Sequence, residues 1–244
     1  MLLRFLQKLL ELLSGPTRRT TGTKTRTVGA ALEVETSEDN LPLLTAIIAV
    51  DQVHRDGDLP VITVERGPLK NRHGQFLYRQ AGQAMGIVVS RFTDHAGLTT
   101  LHEIGHFLDY HGLGAPGQWA SETDPALGAW RDAVRNSDAV QRLGEVLKSP
   151  DGRVTETLSS GAVVEYTINL AYVRYLLRPE ELWARSYAQF IAVKSGDAEL
   201  RSQLDRRRQR PARRFSYGEH WEEADFLPIS TQIEALFRQR GWMD

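Results

Sequence analysis

Residues 98–112 read LTTLHEIGHFLDYHG, and everything else is interpreted outward from them. Leu98, Leu101, Ile104, Phe107 and Leu108 recur at helical spacing. The segment is therefore predicted to be a helix, capped by Thr93 or Asp94 and running to about Tyr110. His102 and His106 stand four residues apart. On a helix such a pair projects from one face, so two imidazole nitrogens can reach one zinc ion at about 2.0–2.1 Å. Glu103 points beside the same position, where a carboxylate can take a proton from an attacking water. Gly105 costs a helix interior about 1 kcal/mol relative to Ala, which marks it as a packing position.

Composition restricts what could complete such a site. The 244-residue chain contains no cysteine, which excludes disulfide scaffolds, Cys-ligated zinc, iron–sulfur clusters and thiol nucleophiles. A transition-metal site must use His and carboxylates. At 41% hydrophobic and 25% charged the chain has an ordinary globular composition. Its formal net charge of −1 gives no global argument for nucleic-acid binding.

Two imidazoles need a third ligand. The extended pattern HExxHxxGxxH fails, because Asp109 stands where it needs Gly, Gly112 stands where it needs His, and His111 is one position off. The alternative is a carboxylate on a second helix. Glu181, in RPEELWARSYAQF (178–190), is the leading candidate, and Glu180, offset by about 100°, is its rival. Both also read as ordinary first-turn acids. Asp109, on the same face as His106, is a candidate acceptor for the second N–H of a ligand imidazole or, less simply, a direct ligand.

HEIGHFLDYHGL followed by EELWARSYAQF resembles the gluzincin-type zinc metallopeptidases. The pattern is most similar to the catalytic domain of anthrax toxin lethal factor and to the small zincin-like metallopeptidases of phages and mobile elements. In such domains the second helix begins with Glu, two aromatic residues and Ala, and that Glu is the third zinc ligand. Laid on Glu181-Leu182-Trp183-Ala184, the resemblance selects Glu181 over Glu180, with Leu182 replacing an aromatic residue. It implies an α+β zincin-like fold with a small twisted sheet above the HExxH helix and a helical C-terminal half. It also implies a tyrosine upstream of the Glu that assists catalysis, for which Tyr175 is the nearest counterpart and Tyr172 the alternative. Residues 113–170 then contain an insertion.

These readings imply a zinc-dependent endopeptidase acting on peptide or protein substrates, with His102, His106 and Glu181 as ligands, Glu103 as general base and Tyr175 as electrophilic partner. A hydrolase of non-peptide amides would look the same. The rival class is a non-catalytic zinc module of a phage or mobile element, docking through its Arg-rich loop and N-terminal helix; it has no need of Glu103.

Farther out, residues 1–14 read as an amphipathic helix with Arg4, Lys8 and Glu11 on one face. It spans about 21 Å, too short to cross a bilayer, and is a candidate contact for a partner or membrane surface. Its charges, and the lack of a small-residue cleavage site after it, argue against an export signal. The expectation is a cytoplasmic protein, or one delivered by a phage or secretion system. Residues 15–29 read as a flexible basic linker and 30–244 as the catalytic domain.

Strands are expected near 31–35, 59–65, 76–79 and 86–92, the last as an edge strand able to pair with an extended substrate. Helices are expected at 41–54, 125–135, 138–147, 179–193 and 229–240, with 151–170 open between hairpin and helix. Arg206–Arg214 reads as a solvated loop, His54 and His73 as surface residues, His95 as a candidate cleft residue and His220 as a packed core or rim residue.

Overall fold

The computed structural model describes residues 27–55, 59–79, 82–157, 160–209 and 219–244. The expected 1–14 helix, most of the 15–29 linker and the end of the arginine run lie outside these residues. The packed chain starts earlier than residue 30, because Val28 is fully buried and the Gly29 N–H donates to Asp51.

The fold is α+β. A four-stranded sheet has the order β1-β2-β4-β3, formed by β1 (Leu32–Glu33), β2 (Ile62–Gly67), β3 (Gly74–Arg79) and β4 (Gln83–Ser90). β1 and β2 pair in parallel, as do β2 and β4, whereas β3 returns antiparallel to β4. This corrects the edge-strand expectation for residues 86–92. β4 lies inside the sheet, because the short hairpin turn folds β3 back along its outer side. Ile87 and Val89 of β4 are accordingly fully buried. Two apolar runs of similar character were visible in the sequence, but only the pairing decides which is outermost.

Helix α1 (Leu41–Val53) follows β1, and α2 (Ala96–Phe107) carries the HExxH motif beneath β3 and β4. A single π-type turn continues α2 through Leu108–Gly112. After one helical turn at Ala120–Thr123 come α3 (Gly128–Arg135) and α4 (Asp138–Val146), the latter capped by the Ser137 hydroxyl. The ambiguous 151–170 segment is a hairpin, β5 (Arg153–Thr157) with β6 (Val163–Thr167), leading into α5 (Leu170–Leu176). Helix α6 (Pro179–Lys194) has Pro at its first position, where the missing N–H has no helical partner to lose.

Two helices differ from expectation. Part of the arginine run, read as a loop, lies in α7 (Ala198–Gln209), because Leu200 and Leu204 bury one side of an otherwise charged helix. The final helix, α8 (Glu223–Gln239), begins before Pro228 rather than after it, with Phe226 packed on Trp221. His54 is also corrected. It is 2% exposed, bonded to the Tyr187 hydroxyl at 2.8 Å and packed on Phe237. One apolar cluster joins the sheet, α1, α2, α6, α7 and α8, while Leu143, Val146, Ile168, Val173 and Leu176 form a separate small one beneath the hairpin. Among the described residues, no helix is long and apolar enough to cross a membrane.

Candidate metal centre

Helices α2 and α6 touch at Gly105. A Cβ built there would lie 2.9 Å from the Ala184 Cα, so glycine is what permits this approach. The Trp183 indole N–H donates to the Gly105 carbonyl at 3.0 Å, fixing the register of the two helices. Glu181 lies one turn before Ala184 and His102 one turn before Gly105, so the contact brings the carboxylate to the imidazoles.

His102 Nε2 and His106 Nε2 lie 3.1 Å apart. Glu181 Oε2 is 3.4 Å from His102 Nε2, and Oε1 is 3.5 Å from His106 Nε2. Ligands held about 2.05 Å from one ion at tetrahedral angles are about 3.3 Å apart, so these three side chains fit a metal ion. Among the described residues they are the group of three ligand-type side chains that converges in this way. Burial acts to raise the Glu181 pKa, but hydrogen bonds and charge from His102 and His106 outweigh it and hold the carboxyl well below the usual range. Glu180 is not part of this converging group, and burial raises its pKa, with the charges of Glu122 and Glu181 acting in the same direction.

Glu103 is buried under the sheet edge. Burial raises its pKa, opposed by His102, His106 and the Phe76 N–H that donates to it. Gly74 of β3 makes room for it, since a Cβ there would lie 2.5 Å from Glu103 Oε1. Strand and carboxylate are therefore in direct contact. Tyr175 comes to the same place. Asn169 caps α5 by accepting from the Ala171 and Tyr172 N–H groups, and the helix delivers the Tyr175 hydroxyl to the Glu181 carboxylate, to which it hydrogen-bonds. Burial and the Glu181 charge push that phenol above its ordinary range. Tyr172 instead donates to Glu219.

Asp109 does not support a ligand histidine. Fully buried, it accepts from both the N–H and the hydroxyl of Ser121, each at 2.6 Å, and burial raises its pKa to about 7. His106 Nδ1 is buried without a hydrogen-bond partner. His95 does line the cleft, and burial lowers its pKa to about 4. His220 is a buried cleft residue whose pKa is well below normal, through burial first and then the charges of Arg185 and Arg207.

Arg185 was missed in the sequence. It lies one turn after Glu181, 5% exposed, and donates to the carbonyls of Leu176, Glu181 and Glu219. It thus ties the end of α5 and the 219–221 segment to α6. Its i, i+4 spacing from Glu181 was the available signal. Gln189 adds to the same lock by bonding both the N–H and the carbonyl of Trp221.

The centre opens on a cleft of about 730 Å³ bounded by the loop before β3, the start of α2, Tyr172, Tyr175 and the Glu219–His220 segment. Comparison of the chain with protein-family models, curated proteins and solved structures finds no match.

Proposed function

We propose that the protein is a zinc-dependent metallopeptidase of zincin-like fold. The observation that carries this reading is the convergence of His102, His106 and Glu181 at tetrahedral ligand spacing, with Glu103 buried beside them and a cleft in front. The cysteine-free ligand set of two imidazoles and one carboxylate is a catalytic rather than a structural zinc arrangement, because it leaves a coordination position open. Zn²⁺ would supply Lewis acidity, polarising the scissile carbonyl and lowering the pKa of water.

The chain's own residues then have distinct tasks. His102, His106 and Glu181 hold the ion. Glu103 takes the proton from the attacking water and returns it to the leaving amine. The Phe76 N–H and the gap at Gly74 hold that carboxylate in place. Tyr175, kept protonated by its surroundings, donates a hydrogen bond to developing negative charge on the carbonyl oxygen. Among the described residues β3 is an outer strand of the sheet, and its edge offers main-chain groups to an extended peptide.

A docking module gains nothing from a buried general base, so the presence of Glu103 supports the peptidase reading over the docking one. The test is Glu103→Gln in purified, zinc-loaded protein, assayed against a fluorogenic peptide library. We expect hydrolysis to fall about 10²–10⁴-fold while the bound zinc stays at one ion per chain. Equal hydrolysis by both proteins would exclude this mechanism, and no hydrolysis by either would favour the docking module.

A further inference from the structure

The charges around the cleft are unbalanced. Of its three acidic residues, Glu103 and Glu181 belong to the metal centre. The third, Glu219, is already engaged, since its carboxylate pairs with Arg207 and accepts from Tyr172. The loop between β2 and β3 places Lys70 and Arg72 in the same cleft lining. Both are exposed, and among the described residues neither has a carboxylate partner. The buried Arg185 lies beside the Glu219–His220 segment, where its guanidinium donates to carbonyls, lies over the Trp221 ring and feels the Glu181 charge. Arg207 disfavours protonation of both His220 and His95, and Arg185 that of His220.

The direction of β3 relates this charge to a substrate. β3 begins at Gly74, beside Glu103 and the cationic cleft, and runs toward Tyr78. Tyr78 packs against Tyr110 and Trp119, with ring centroids at 4.6 and 5.4 Å. The two ends of the strand thus differ, one aromatic and one cationic. An extended peptide pairs more favourably antiparallel than parallel to an edge. Its N-terminal half then lies by the aromatic end, and its C-terminal half enters the cationic cleft.

We infer that the cleft recognises peptides carrying a carboxylate on the C-terminal side of the bond presented to the metal centre, supplied by an Asp or Glu side chain or by the peptide's own C-terminus. This rests on the peptidase reading of the same centre. Lys70 and Arg72 are the specificity-determining residues. Two exposed cations acting together give a preference of about 5–10-fold.

The experiment measures binding apart from cleavage. Full-length, zinc-loaded Glu103→Gln protein is titrated, by fluorescence anisotropy, with four N-terminally labelled dodecapeptides of one neutral sequence. Three are C-terminally amidated and carry two Glu, two Gln or two Lys in the C-terminal half. The fourth carries the two Gln and a free C-terminus. The Glu peptide, the free-carboxylate peptide or both should bind about 5–10-fold more tightly than the amidated Gln peptide, with the Lys peptide weakest. Which of the two gains identifies the source of the carboxylate. Adding Lys70→Ala and Arg72→Ala, both on an exposed loop, should bring all four within about twofold without changing the melting temperature. Equal binding of the Glu, Gln and free-carboxylate peptides, no binding of any peptide, or a preference that survives the double substitution would each overturn the inference. If the protein retaining Glu103 shows the preference yet leaves the preferred peptide intact, carboxylate recognition stands and the peptidase reading fails.

Discussion

At the seam between α2 and α6 there is no room for a methyl group on Gly105, whereas on the β5–β6 hairpin Val163 is 65% and Val164 40% exposed. The seam joins the helices that carry all three candidate ligands. The hairpin rests on its own small cluster, away from the main core. The contrast shows where sequence is constrained. A metal centre needs three side chains from two helices placed to within a few tenths of an ångström, and only close packing of those helices can do that. A two-stranded ribbon with one face wet, resting on a small cluster through Val154 and Tyr166, imposes no such demand.

The largest expected effect tests the seam directly. Glu181→Gln should weaken zinc affinity by more than about 100-fold, since loss of a mere outer partner costs about 10–100-fold. Glu180→Gln should leave affinity within about twofold, because that carboxyl is not part of the converging group. Chelator competition measures both, and equal losses would break the assignment of Glu181. The second effect lies on the far side of α6, where His54 bonds to Tyr187. Burial lowers the His54 pKa to about 4 from 6.5. A histidine depressed in the folded state binds its proton more readily when unfolded. Its stabilisation is therefore complete above pH 6.5 and is lost as pH falls toward 4. The shift corresponds to about 3 kcal/mol, and denaturant titrations across this range should show His54→Gln flattening the slope. His95 and His220 contribute with the same sign, so a residual slope is expected.

Gly105→Ala sharpens the comparison further. Helix propensity alone favours Ala by about 1 kcal/mol, but overpacking a tight contact costs about 1–3 kcal/mol. We expect a lower melting temperature together with weaker zinc binding. A rise in melting temperature would show that the seam has slack. At the smallest end, Val163→Thr on the hairpin should change stability by less than about 0.5 kcal/mol and leave zinc affinity unaltered.

Much of the site was legible in the sequence because HExxH is a local code. Both imidazoles and Glu103 lie within five residues of one helix, so periodicity alone places them on one face. Glu181 was less legible. It competes with Glu180 in one first turn, and helix phase relative to a distant helix is not a local property. Tyr175 reached the centre through the orientation of α5, whereas Asp109, on the expected face, was drawn away by Ser121. The edge strand was misread because β4 and β3 are similar apolar runs, and strand order depends on which side of β4 the hairpin folds over.

By itself, then, the sequence determined the α+β class, the ligand chemistry and the general-base candidate, because residue types and short spacings act within one element. Tertiary structure decided which glutamate meets the imidazoles, which strand edge is open and which end of the cleft is cationic. The first depends on how far apart two helices settle, a distance set here by the missing side chain of Gly105, and the others on which side of β4 the hairpin folds over.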